Sequence, residues 1–180
     1  MKSLAYFFSV LIAALFLTSC NGGQSLQEYF VENSEDKDFL VIDVPASLLN
    51  LSEVDLNEGQ KEAYESIKKM NILAFRVQED NKADYEAEKT KIKEILKNPK
   101  YQDLMKFNSG TAKATVKYLG KEDAIDEVIV YGSDNQYGFA VVRVLGNKMK
   151  PENIVALVQA LDKANVDGEG LNEIKGFLGM

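Results

Sequence analysis

Apolar residues along the 180-residue chain fall into three patterns, each of which predicts a different element. From Leu4 to Leu17 only Tyr6 and Ser9 break an apolar run, and at about 14 residues it is shorter than the roughly 20 a membrane-spanning helix needs. With the short positive leader Met1-Lys2-Ser3 before it, the run has the layout of a secretory signal peptide. Beyond it, apolar positions recur either at helical spacing or in the short β-branched and aromatic runs typical of strands.

Ser25 and Glu28 have capping-box spacing and predict a short helix that buries Leu26, Tyr29, Phe30 and Val31. Phe39-Leu40-Val41-Ile42-Asp43-Val44, stopped by Pro45, reads as a first strand. Asn57 with Gln60 opens a second helix, along which Ala63, Tyr64, Ile67 and Met70 recur on one face. Asn71 to Val77 reads as the next strand, and the strand-helix-strand order favours a right-handed crossover with the two strands parallel.

Residues 82–97 predict a charged helix whose narrow apolar stripe is Tyr85, Ile92, Ile95 and Leu96. Asp84, Glu86 and Glu88 lie in its first half and Lys89, Lys91, Lys93 and Lys97 in its second, which complements the helix dipole and describes a solvated face. Ala112 to Leu119 alternates cleanly, with Lys113, Thr115 and Lys117 on the wet side, while Asp126 to Tyr131 and Phe139 to Leu145 are almost continuously apolar. Together they predict a three-stranded antiparallel meander. Pro151 then opens a helix carrying Ile154, Leu157, Val158 and Leu161, and a last amphipathic segment holds Leu171, Ile174, Phe177 and Leu178. The expected architecture is α+β: one mixed sheet of about five strands with helices packed mainly on one face.

Thr18 and Ser19 stand directly before Cys20, and Leu17-Thr18-Ser19-Cys20 resembles the lipobox of bacterial lipoproteins. That resemblance implies a diacylglycerol on the Cys20 thiol, cleavage before Cys20 and acylation of the new amino terminus. Three acyl chains would anchor the protein stably, because each buried methylene contributes about 0.8 kcal/mol and two chains already suffice. The expected division is a signal peptide at 1–19, a lipidated cysteine and tether at 20–24, and a single domain at 25–180.

Composition narrows the chemistry. Cys20 is the only cysteine, so the exported domain has no internal disulfide. Removal of the leader takes away Lys2 and moves the net charge from −7 to −8, which argues against nucleic-acid binding. Without histidine, neither a Ser-His-Asp nor a Cys-His site can form. Paired carboxylates at about 5–10 Å could still do glycosidase-like work, but no pair stands out among acids that fall in helices and turns.

Asn165-Val166-Asp167-Gly168 resembles the middle of a calcium loop, yet its alignment puts Lys163 and Ile174 at ligand positions. Neither can ligate the ion, and no metal or cofactor is expected. Asp134, Asn135, Gln136 and Tyr137 form a polar hairpin loop with an aromatic residue, the candidate partner-binding loop.

Tyr101-Gln102-Asp103-Leu104-Met105, Glu127-Val128-Ile129-Val130-Tyr131 and Val142-Arg143-Val144-Leu145-Gly146 follow one another ahead of an apolar helix. In this order they resemble a family of small Bacteroidetes lipoproteins with an uncharacterised domain, domain of unknown function 4252. The likeness covers roughly residues 25–165 and supports the lipoprotein reading and the fold; it brings no catalytic or binding residue with it. Two expectations follow from the whole. One is a non-enzymatic envelope module that sits on the membrane through Cys20 and binds another envelope protein or takes part in regulation. The other is a periplasmic lipoprotein that binds a small molecule, glycan or lipid. Asn21-Gly22-Gly23-Gln24 lacks the acidic cluster associated with surface export in the Bacteroidetes lipoproteins that the chain resembles, and this resemblance implies an anchor at the outer membrane facing the periplasm.

Overall fold

The structure, a computed structural model, describes residues 23–48, 55–109, 112–156 and 176–177. Six strands form one sheet in the order β1-β2-β6-β5-β4-β3. They are β1 (Phe39–Pro45), β2 (Ile67–Arg76), β3 (Gln102–Ser109), β4 (Ala112–Lys121), β5 (Ala124–Asp134) and β6 (Gly138–Met149). The last four form a meander, and β2 adds to its far side against β6. Every neighbouring pair is antiparallel.

The sheet is thus antiparallel rather than mixed, because β1 and β2 are not joined by a parallel crossover. Helix α2 (Glu58–Ser66) runs straight into β2, with Ile67 both its C-cap and the first strand residue. At about 1.5 Å per residue this nine-residue helix is short. Its Ala63 packs with Ile125, Met149 and Ile154, where β5 starts and β6 ends. The chain therefore re-enters the sheet beside the end of β1, with Pro45 opposite Lys69. Met70, expected on the helix, lies in β2 opposite Val44.

A sixth strand, β3, comes from the segment after Pro99. Its register shifts between Asp103 and Met105, and this bulge disrupts the alternation by which a half-buried strand is recognised.

Helices cover both faces, not mainly one. Helices α1 (Leu26–Glu32) and α3 (Lys82–Leu96) bury Leu26, Tyr29, Phe30, Tyr85 and Ile92 with Leu73, Phe75, Ile129, Phe139 and Val141 of the sheet. On the opposite face α2 and the helical residues 151–156 pack Ala63 and Ile154 against Val128. Adjacent residues such as Val128 and Ile129 are both buried yet belong to different clusters, the period-2 consequence of a sheet covered on both sides.

Phe139 is the hub of the α1/α3 side. Its ring stacks on Phe75 with centroids 5.5 Å apart and lies 6.2 Å from both Tyr85 and Tyr131, while Phe39 meets Phe75 edge-on at 5.0 Å. The preceding Gly138 has φ +133°, and a Cβ there would lie 1.9 Å from the Phe75 carbonyl oxygen, so β6 reaches β2 this closely only with glycine.

Both expected capping boxes form, Ser25 with Glu28 and Asn57 with Gln60. Leu26, Tyr29 and Phe30 are buried, whereas Val31 is 62% exposed and does not join the buried side. In α3 the buried residues are the expected Tyr85, Ile92, Ile95 and Leu96. Pairs such as Lys91–Glu88 at 2.8 Å and Lys97–Glu94 at 2.5 Å line its solvated side. Replacing Ser25 with alanine is expected to cost about 1 kcal/mol in urea unfolding; an unchanged midpoint would show that the cap adds nothing measurable to the hold on α1. The calcium-like segment at 165–168, Leu157, Val158, Leu161 and most of the last amphipathic segment lie outside the described residues, although Phe177 packs beside Ile72 and Ala74.

Candidate functional site

Charged residues within apolar strands have to find partners where they are buried, and β5 and β6 carry one buried charge each. Glu127 and Arg143 sit on the α1/α3 face, diagonal to one another, since Glu127 opposes Leu145 and Arg143 opposes Ile129. Arg143 Nε donates to Glu127 Oε1 at 2.6 Å and Nη2 donates to Oε2 at 3.3 Å, a two-pronged pair in which both residues are buried. Nη1 donates to Gln27 Oε1 at 2.6 Å, and the guanidinium lies 5.3 Å from the Phe30 ring centroid. Helix α1 is thereby fastened to the middle of the sheet by a polar clasp as well as by its apolar side.

The row continues sideways. Asn71 opposes Arg143 on one side and Asp43 on the other, and its Nδ2 donates to Asp43 Oδ1. A second fastening runs from the Leu26 amide to the Tyr101 hydroxyl at 3.4 Å. A third runs from the Tyr29 hydroxyl to Glu88 Oε2 at 2.7 Å. Burial, reinforced by that bond to Glu88, pushes the Tyr29 phenol far above its ordinary range; burial also raises Tyr85 and Tyr131. The Glu127–Arg143 arrangement neutralises two buried charges and orients α1. Its carboxylate is committed to the guanidinium, which suits a structural clasp and not proton transfer.

Sequence reasoning missed this clasp. Its signal was one glutamate beside the apolar run 128–131 and one arginine within the apolar run 139–145, 16 positions apart on neighbouring strands. The loop it did single out is tied down by its own chemistry. The Asp134 carboxylate accepts from the Gln136 amide at 2.7 Å and the Tyr137 amide at 3.3 Å. The Tyr85 hydroxyl donates to the Asp134 carbonyl at 3.0 Å, Lys89 Nζ to Asn135 Oδ1 at 2.8 Å, and the Val77 amide to the Tyr137 carbonyl at 3.1 Å. Asn135 and Gln136 remain exposed on a rigid turn, whereas Asp134 and Tyr137 are half-buried. Cys20 lies outside the described residues.

At the opposite end of the sheet a shallow depression is lined by Glu122, Asp123, Lys150, Pro151 and Glu152. Among the described residues no group of three or more His, Cys, Asp or Glu side chains is placed to hold a metal ion, and no helix is long and apolar enough to cross a membrane.

On the rim of the clasp face, Asp103 accepts from Lys106 at 2.7 Å and Lys117 at 2.5 Å, and those two lysines hold its carboxyl below the usual range. A depressed carboxyl contributes stability above its unfolded value and loses it as pH falls through its folded one. An NMR titration is therefore expected to show Asp103 protonating below the ordinary aspartate value, with Lys106→Gln moving it upward. Protonation at or above that value would contradict the ion pairs.

The fold and the clasp define a class: a single-sheet α+β domain with a buried ion pair between β5 and β6, to which α1 is hydrogen-bonded through Gln27. The chain belongs to the family described as domain of unknown function DUF4252, whose model matches residues 29–157. The matched span begins within α1 and includes all six strands. Comparisons with curated proteins and with solved structures each return no match.

Proposed function

We propose that this chain is a lipid-anchored bacterial envelope protein that acts by binding another envelope protein, without catalysing a reaction. The observation that carries the proposal is the tetrapeptide Leu17-Thr18-Ser19-Cys20 at the end of an apolar run, placed five residues before the Ser25 cap of α1. Five extended residues span at most about 18 Å. A lipid on Cys20 would thus hold the sheet close to the bilayer, with α1, fastened by Gln27, Leu26 and Tyr29, taking the load. Absence of an acidic cluster at 21–24 supports the periplasmic side of the outer membrane.

Two features favour the interaction reading over a ligand-binding one. The space between α3 and the sheet, where a pocket would lie, is filled by Phe75, Tyr85 and Phe139. Exposed Asn135 and Gln136 stand on a turn already held in shape, so binding through them would carry little ordering cost. The test is chemical crosslinking and pull-down from membranes, with Cys20→Ala as the unanchored control and Asn135→Ala/Gln136→Ala as the surface variant. A stoichiometric protein partner lost in both variants is the expected result. A thermal shift with glycans or lipids and no protein partner would favour the ligand-binding alternative, and turnover of an envelope substrate would overturn both.

A further inference from the structure

Strand β3 ends the sheet, and among the described residues nothing pairs with its outer side. Such an edge is a template for another strand, and the residues of β3 specify which one. Asp103 opposes Lys117 and Lys106 opposes Thr115, two β4 positions on the same face. Met105 opposes Val116 and Phe107 opposes Ala114, on the other face, where Leu104, like Val116, packs against the cluster that holds Tyr118 and Val128. In a regular strand residues three apart point to opposite faces. The bulge between Asp103 and Met105 is what brings Asp103 and Lys106 to the same side, with Lys106 Nζ 2.7 Å from Asp103 Oδ2.

From this geometry we infer that β3 is a self-association edge, pairing antiparallel with β3 of a second copy about a two-fold axis centred between Leu104 and Met105. In that register Asp103 faces Lys106 of the second copy and Lys106 faces its Asp103. Asp103 keeps Lys117, already at 2.5 Å, so every charge stays paired when Lys106 changes partner. On the opposite face Leu104 meets Met105 of the second copy, and Phe107, 53% exposed in the single chain, meets its Gln102. Leu104, Met105 and Phe107 of both copies then form one apolar stripe across the junction. Face parity agrees at every paired position, which a pairing of unlike residues such as Asp103 with Lys106 requires and an unbulged β3 would not allow. A bulge and an edge lysine ordinarily discourage pairing with an arbitrary strand. Here they make it selective, because a second β3 offers an acid and a base at the matching spacing.

Analytical ultracentrifugation of the full chain in mild detergent tests this with two single variants, Asp103→Lys and Lys106→Asp. The unsubstituted chain is expected to sediment as a two-chain particle. Each variant alone puts like charges opposite one another and is expected to self-associate about ten-fold more weakly or not at all. An equimolar mixture of the two restores complementary pairs at both positions and is expected to recover the two-chain particle, which also shows that both variants fold. A single-chain mass for the unsubstituted protein, a two-chain mass for either variant alone, or no recovery on mixing would overturn the inference.

Discussion

Replacing Arg143 with methionine while keeping Glu127 is expected to destabilise the domain by about 3–5 kcal/mol, because it leaves a carboxylate buried without its counter-charge. The size of the effect follows from the surroundings, since Glu127 is 7% exposed and both of its oxygens take bonds from the one guanidinium. The companion result is more telling. Arg143→Met combined with Glu127→Leu removes both charges and fills the space with apolar volume, so the double variant is expected to be near the original stability or above it. Gln27→Ala should fall between, at about 1.5–3 kcal/mol, the usual worth of a hydrogen bond to a charged group. Urea unfolding of the four forms measures all three numbers. If the single Arg143 variant loses less than about 1 kcal/mol, Glu127 is not left as an uncompensated buried charge.

Gly138→Ala carries the other large expected effect, a loss of about 3 kcal/mol or more. Its φ of +133° is costly for any L side chain, and the new Cβ would meet the Phe75 carbonyl oxygen at 1.9 Å, a backbone atom that cannot swing aside. Relief requires β6 to move from β2 at the point where Phe139 enters the aromatic cluster. Gly132→Ala, in β5 with nothing within 4 Å of its Cβ, is the control and should change stability by less than about 1 kcal/mol. Equal thermal shifts for the two variants would show that the close approach of the strands is not what Gly138 supports.

Much of this fold could be read from local pattern, and the failures have local causes too. The capping pairs at Ser25 and Asn57, the stripe Tyr85-Ile92-Ile95-Leu96 and the strands from Ala112 to Leu145 were legible because each is encoded within one or two turns or one alternating run. Strand β3 was not, since its bulge puts Leu104 and Met105 on one face and hides the period of 2. The parallel crossover was favoured from element order alone, while the antiparallel outcome depends on α2 packing at one end of the sheet, a long-range fact. Continuous apolar runs at Ile72–Phe75 and Phe139–Val142 carried the signal of coverage on both faces, which the expectation of helices mainly on one face left unused. The clasp needed knowledge of strand pairing, because Glu127 and Arg143 reveal their partnership only once β5 and β6 are in register. Cys20 is the reverse case, an expectation that rests on its neighbours in sequence and lies outside the described residues.

Membrane attachment at Cys20 is the premise of the functional proposal, and the intact mass of the chain extracted from bacterial membranes tests it most directly. The expected spectrum shows a chain beginning at Cys20, heavier than the 20–180 polypeptide by the diacylglycerol and one further acyl group. A chain recovered with a free thiol at Cys20, or with residues 1–19 still attached, would contradict it.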